Sequence, residues 1–158
     1  MLLGLNLEQW SYVATIATMI VAALAGLVAL WIYIGERRAE RESFAKDLVK
    51  EFTLLAFENP KFSDPELAVI DYSKKTFDGS AELFSKYEWF VDIMLWADNE
   101  ILTMADSDRW RRYVKNCLET HCEYLRSGLY GKYEYYFTTA LRQMMQEVKS
   151  GNLAVGER

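Results

Sequence analysis

Charged residues are missing from one long stretch of this sequence. From Trp10 to Ile34 there is no Asp, Glu, Lys or Arg. The stretch is longer than the about 20 apolar residues that a helix needs to cross the hydrocarbon core of a bilayer. We therefore predict a transmembrane helix at residues 10–34, preceded by a short extracytoplasmic lead at residues 1–9. Since the span has no ionisable side chain, it provides no path for protons or ions.

Basic residues are also missing before the span. A cleaved signal peptide has a basic amino-terminal region and a shorter apolar core, so a retained anchor is the better interpretation. Arg37, Arg38 and Arg41 follow the span directly. Because Lys and Arg next to a span favour the cytoplasmic side, we expect the amino terminus outside and the carboxy-terminal domain in the cytoplasm. The predicted location is the plasma (inner) membrane, with the lipid bilayer as the first partner.

Aromatic residues occur at both ends of the span, and small residues occur along one face of it. Indole and phenol rings settle at the headgroup level, and arginines can sit against anionic headgroups. The predicted interface anchors are Trp10, Tyr12, Trp31, Tyr33, Arg37 and Arg38. The small residues, each four apart, are Ala14, Thr18, Ala22 and Gly26. Two interpretations stay open for this face: close packing with another span, in a homo-oligomer or with a membrane-protein partner, or simple contact with lipid.

Proline is scarce, since Pro60 and Pro65 are the only two. Few helix breakers and long stretches of helical periodicity predict an all-α fold, in which the transmembrane helix runs into a small cytoplasmic helical bundle at residues 35–149. The remaining residues, 150–158, are expected to form a flexible carboxy terminus. The predicted helices cover about residues 36–57, 65–73, 81–104, 108–126 and 130–148. Gly35 alone is not expected to interrupt the first of them, because one glycine costs a helix only about 1 kcal/mol.

Histidine and cysteine are the scarcest reactive residues. His121 is the only histidine, and Cys117 and Cys122 are the only cysteines. Five residues apart on one helix, the two cysteines are too distant for a disulfide, and reduced thiols fit a cytosolic domain. Cys117 and His121 share a helix face and are the candidates for a ligand or metal pocket. A zinc site needs three or four ligands, so other helices would have to supply the rest. The only obvious acids near an apolar stripe are Asp92 and Asp98. The alternative is an ordinary half-buried histidine, and we predict no metal or cofactor.

Motifs for catalysis and for nucleic-acid binding are absent from the sequence. There is no glycine-rich phosphate loop, serine nucleophile elbow or paired-carboxylate motif, and a Cys117–His121 nucleophilic pair lacks an orienting third group. We therefore predict that the protein is not an enzyme. The formal net charge is −5, and no basic tract follows the juxtamembrane arginines. Nucleic acid, which selects a clustered basic face, is excluded as a partner.

Aromatic residues, in contrast, are plentiful in the predicted domain. The run from Tyr130 to Phe137 has so many that they cannot all face one core, and the tryptophans of residues 81–104 lie on more than one side of their helix. Exposed Tyr and Trp side chains suit protein contacts, so these positions are candidate partner contacts. The other interpretation is a wide buried face. The candidates are Trp89, Trp96, Tyr135 and Tyr136.

Two stretches carry a resemblance to a known group of proteins. One is the run from Trp31 to Arg41, and the other is Asp108-Arg109-Trp110-Arg111-Arg112-Tyr113. The layout resembles uncharacterised bacterial single-span membrane proteins with a small helical cytoplasmic domain, which implies no site residues. The leading hypothesis is a membrane-anchored interaction or accessory subunit that binds other proteins through its span and bundle. The alternative is a membrane-tethered sensor that binds a small ligand or metal near His121.

Overall fold

The computed structural model describes residues 7–151, without the side chains of residues 7–9 and of Lys132. Most of the predicted lead at residues 1–9, and residues 152–158 of the predicted carboxy terminus, lie outside the described residues. By its internal contacts the chain divides into two compact units, Met1–Glu40 and Arg41–Arg158.

The described residues form six α-helices and one two-stranded antiparallel sheet. The helices are α1 (Leu7–Glu58), α2 (Pro60–Ser63), α3 (Ala81–Met104), α4 (Asp108–Thr120), α5 (Cys122–Ser127) and α6 (Thr139–Ser150), and the strands are β1 (Ile70–Asp71) and β2 (Thr76–Phe77). Three 3₁₀ turns occur at Pro65–Leu67, Leu129–Lys132 and Glu134–Tyr136. The predicted all-α class is confirmed, because the sheet is a single short hairpin.

The first unit is the amino-terminal part of α1. Among the described residues this is the one helix that is long and apolar enough to cross a membrane. Its most apolar 18-residue window has a mean hydropathy of 2.4, and 0% of that window is buried. The helix continues through Gly35, as the sequence predicts. Since none of the window is buried, this segment is not the core helix of a globular domain.

The second unit is built around α3. Ser80 caps this helix through its side-chain oxygen, which accepts from the backbone N–H of Leu83, so the predicted start is confirmed. Residues at helical spacing along one face are buried, and α3 packs against β2, α4 and α6. The buried residues of α3 are Phe84, Tyr87, Phe90, Val91, Met94, Leu95, Asp98, Asn99, Ile101 and Leu102.

The helix predicted at residues 65–73 is wrong. Only the turn Pro65–Leu67 is helical, and Ile70 then pairs with Phe77 in the hairpin. Asp71 explains the difference: its Oδ1 accepts from the backbone N–H of Ser73 at 3.1 Å and of Lys74 at 3.0 Å. A short acidic side chain that bonds nearby backbone groups competes with helix formation and favours a turn. Asp78 and Gly79, a dipeptide typical of turns, both have positive φ in the structure.

Two other predicted helices have different limits in the structure. The helix predicted at residues 108–126 is interrupted at His121, and Gly128 ends the second piece with a left-handed φ of 74°. The helix predicted from residue 130 begins only at Thr139. Thr138 determines that start, because its hydroxyl caps the N–H of Leu141 while its own N–H donates to the side chain of Asn99 on α3. Tertiary contact overrides the local periodicity here.

Candidate functional site

An open cleft of about 760 Å³ lies on the surface of the second unit. One wall is α3, and the other is formed by the chain that follows α5. We call it the aromatic cleft, because four exposed rings line it: Trp89, Trp96, Tyr133 and Tyr136. The remaining lining residues are Lys75, Ser85, Glu88, Asp92, Ile93, Tyr124, Gly128 and Leu129.

The α3 wall follows from helix geometry. Ser85, Glu88, Trp89, Asp92 and Trp96 recur three or four residues apart, which places them on one face of the helix. The apolar stripe that packs into the core lies on another face of the same helix. One helix therefore contributes both to the core and to the cleft.

The opposite wall depends on the turn at Gly128. Its left-handed backbone reverses the chain after α5, and the two 3₁₀ turns that follow bring Tyr133 and Tyr136 to the cleft. The Tyr136 ring lies 6.1 Å from the ring of Trp96 between centroids, and 3.9 Å from that of Tyr135. These contacts hold the rings of the two walls together without burying them.

The candidate partner contacts from the sequence lie at this cleft. Trp89 is 69% exposed, Trp96 44%, Tyr135 67% and Tyr136 53%. Three of them line the cleft, and the ring of Tyr135 lies against that of Tyr136. Whether they contact a partner stays a prediction. The sequence did not assign Glu88 or Tyr133 to a site, although the spacing of Glu88, Trp89 and Asp92 on one helix face was a signal for the α3 wall.

Two carboxylates make one side of the cleft acidic. Burial, and then the neighbouring charge of Glu88, raise the pKa of Asp92 to about 6. The pKa of Tyr124 is raised by burial and further by the charges of Asp92 and Glu88, which places its hydroxyl near both groups. Lys75, at the hairpin, is the basic lining residue. Near neutral pH the two carboxylates outweigh this single cation.

The predicted Cys117–His121 pocket has a different geometry from the one expected. His121 is 3% exposed and lies between the rings of Tyr87 and Phe90, with centroids at 5.8 and 6.0 Å. The Tyr87 hydroxyl is 3.1 Å from His121 Nδ1. Burial lowers the pKa of His121 to about 4, although the charge of Asp64 offsets part of this effect, so the imidazole is neutral at pH 7.

Cys117 has other neighbours. Burial, and then the charge of Asp98, raise the pKa of its thiol to about 12, and its hydrogen-bonding neighbour is the hydroxyl of Tyr113. Neither Cys117 nor His121 lines the aromatic cleft. Within residues 7–151, no group of three or more His, Cys, Asp or Glu side chains is placed to hold a metal ion. The geometry favours packing roles for both residues over a shared ligand site.

The first unit has its own candidate surfaces. On the small-residue face, Thr18 Oγ1 donates to the Ala14 carbonyl at 2.8 Å, which satisfies the hydroxyl within the helix. A Cβ at Gly26 would meet no atom within 4 Å, so this face is open. At the other end Arg37 Nε donates to the Tyr33 hydroxyl at 3.2 Å, and its guanidinium lies 5.4 Å from the ring centroid. The remaining predicted anchors, Trp10, Tyr12, Trp31 and Arg38, are exposed.

The fold and these surfaces define a class: a helical protein with one candidate membrane-spanning helix and an aromatic, acidic cleft on its second unit. Comparison with known proteins gives no match among family models, curated proteins or solved structures.

Proposed function

We propose that the protein is a single-pass membrane-anchored accessory subunit that binds other proteins through its span and its helical domain and has no catalysis of its own. One observation carries the proposal. The 18-residue window of α1, with a mean hydropathy of 2.4, has no buried share at all. A continuous apolar surface of this kind is unfavourable in water and is covered by lipid or by another protein.

Charge supports one orientation in the membrane. All 18 Lys and Arg residues follow the apolar stretch, beginning with Arg37. The Tyr33–Arg37 pair combines a ring that prefers the headgroup level with a cation that prefers the cytoplasmic side. We propose that the amino terminus is outside and that the second unit lies at the cytoplasmic surface of the plasma (inner) membrane.

Two surfaces support the binding of partners. The open face of Ala14, Thr18, Ala22 and Gly26 allows the backbone of another span to approach closely. On the second unit, Trp89, Trp96, Tyr135 and Tyr136 form an exposed aromatic surface, and aromatic residues are enriched in protein interfaces. Together they suit either a homo-oligomer or a complex with another membrane protein.

Membrane integration and assembly are tested together. We expect the full chain to stay in the membrane pellet after an alkaline carbonate wash, and to elute in mild detergent as a homo-oligomer or with a co-purifying membrane protein. The variant Ala22→Leu/Gly26→Leu should dissociate that assembly, because it fills the small-residue face. The matched control is Ala23→Leu, about 100° away around the helix. Release by the wash, or a wild-type monomer without a partner, would refute the proposal.

Orientation needs an engineered probe. Glu66→Cys, in the exposed turn Pro65–Leu67, provides one in a chain with Cys117→Ala and Cys122→Ala. An impermeant maleimide should label this chain in inside-out vesicles and not in intact cells. Labelling in intact cells would reverse the proposed topology.

A further inference from the structure

The aromatic cleft shares Trp89, Trp96 and Tyr136 with the proposed protein-binding surface, but it also contains two carboxylates, Glu88 and Asp92, that the subunit role does not use. We propose that it binds a small organic cation carrying an alkylated ammonium group. This inference goes beyond the proposed function and does not depend on it, because the cleft lies wholly within the second unit.

The rings provide the first argument. The faces of Trp and Tyr attract cations through their quadrupoles, and quaternary ammonium groups are recognised by clusters of such rings. Trp89, Trp96, Tyr133 and Tyr136 line one cleft, and all four are exposed rather than packed into the core. Ile93 adds an apolar surface for alkyl substituents.

Charge selects a cation over the alternatives. Glu88, Asp92 and Lys75 all line the cleft, so with these three groups ionised it has one more negative than positive charge. Among the side chains that the structure describes, neither carboxylate forms a salt bridge. An anionic ligand would be repelled by this pair. A neutral apolar ligand would remove water from the carboxylates without replacing its interactions, which is costly.

Size favours a small molecule. The volume of about 760 Å³ falls within the range of about 300–1,000 Å³ that is typical of small-molecule sites. An ammonium compound of this kind has two sources, a free solute or the choline or ethanolamine headgroup of a lipid. The chemistry that the cleft recognises is the same for both.

The site should also depend on pH. The titratable groups that line the cleft together with Asp92 are Glu88 on α3, Tyr124 on α5, Tyr133 on the turn after it and Lys75 at the hairpin. Because the pKa of Asp92 is about 6, protonation between pH 7 and pH 5 removes one of the two attractive charges. Affinity for the cation should therefore fall over this interval.

The test is calorimetry on the full chain in a non-ionic detergent without choline. Choline is the probe, and 3,3-dimethyl-1-butanol, which has the same shape without the charge, is its neutral counterpart. We expect choline to bind and the neutral compound to bind at least about tenfold more weakly. Equal binding of the two compounds, or no binding of choline, would overturn the proposal.

Three variants locate the site. Choline binding should weaken about fivefold or more in each of the variants Trp89→Leu, Asp92→Asn and Glu88→Gln. The circular dichroism spectrum should stay unchanged, since the Trp89 ring is 69% exposed. Glu82→Gln is the matched control, an exposed acid on α3 that pairs with Lys86 outside the cleft. An effect of Glu82→Gln equal to that of the carboxylate variants would place the cation elsewhere and contradict the proposal.

A final comparison separates the sources. In nanodiscs of phosphatidylcholine, a cleft that holds a lipid headgroup should bind added choline more weakly than in nanodiscs of an uncharged galactolipid, which has no ammonium group and does not attract choline by its charge. A cleft for a free solute should bind it equally in both. If Nα-acetyl-lysine amide binds and choline does not, the cleft is a docking site for a protein's lysine and the proposal is wrong.

Discussion

At the scale of single residues, the second unit has three buried polar or charged side chains among those described: Asp98, Asn99 and His121. The sequence allowed a half-buried histidine at position 121 but did not indicate its hydrogen-bond partner. Tyr87 is 34 positions away in the chain, and only the packing of α3 beside the break at His121 brings the two together. Local periodicity predicts that a polar residue is buried, but it does not predict which residue forms its hydrogen bond.

His121 should make the domain sensitive to acid. Its folded pKa of about 4 is below the unfolded value of about 6.5, so the folded state binds fewer protons and stability is lost as pH falls from 6.5 towards 4. The contribution of His121 to the free energy of unfolding should decrease by about 3 kcal/mol between pH 7 and pH 4. His121→Gln, which retains a polar neighbour for Tyr87, should be less stable at pH 7 but lose this share of the pH dependence. Denaturant unfolding at both pH values measures it, and parallel profiles for the two proteins would contradict the assignment.

Asp98 should affect the pH dependence of stability in the opposite direction to His121. Burial raises its pKa well above the ordinary value, and its Oδ2 has no hydrogen-bond partner among the described residues. Because the folded pKa is raised above the unfolded value of about 4, the contribution of Asp98 to the free energy of unfolding is fully present below about pH 4 and is lost as pH rises. Asp98→Asn should gain at least about 1 kcal/mol relative to wild type between pH 4 and pH 7.5. A constant difference between the two unfolding free energies would show that Asp98 is ionised in the fold.

At the scale of elements, α3 shows how far local sequence can determine a helix. Its first and last residues were predicted, because Ser80 provides a cap and the apolar stripe is continuous. The segments at residues 65–73 and 130–148 were not, because Asp71 closes a turn and Asn99 fixes Thr138 from another helix. The aromatic cleft was beyond sequence reasoning as a site, since its walls come from separate stretches of chain.

The tether between α3 and the start of α6 is testable. Asn99 Oδ1 accepts from the backbone N–H of Thr138 at 2.8 Å, and Asn99 is 6% exposed. Asn99→Ala should reduce the free energy of unfolding by about 1–3 kcal/mol, because it leaves that N–H without its partner. Asn116→Ala, at an exposed position of α4, is the matched control and should change stability by less than about 0.5 kcal/mol. Equal losses for both variants would show that the tether is not a stabilising contact.

At the scale of the whole molecule, the core belongs to one unit. Every buried hydrophobic side chain described, from Ala45 to Val148, lies within Arg41–Arg158. Glu42 belongs to this unit as well: its Oε2 accepts from Trp110 Nε1 at 2.8 Å, and its Oε1 from Arg109 at 3.2 Å. Glu42 also pairs with Lys46, four residues later on the same helix, at 3.5 Å.

A chain that begins at Arg41 should therefore fold without the apolar segment. We expect it to be monomeric and soluble, and to unfold in one cooperative thermal transition, since its core is complete. Calorimetry and size-exclusion chromatography test this. A chain that begins after Glu42 should melt at a lower temperature, because the indole N–H of Trp110 loses its acceptor. Aggregation of the longer fragment would mean that the apolar segment is part of the fold.

The surroundings of Cys117 also make the reactivity of its thiol a probe of local opening in the second unit. In the closed structure a thiol with a pKa of about 12 hardly reacts at neutral pH. Because Cys117 is only partly buried, it is the raised pKa that keeps the thiol unreactive, and a faster alkylation of Cys117 would report that α4 has moved away from its neighbours. The rate of Cys117 alkylation, measured with and without choline, would show whether binding in the aromatic cleft changes the motion of α4.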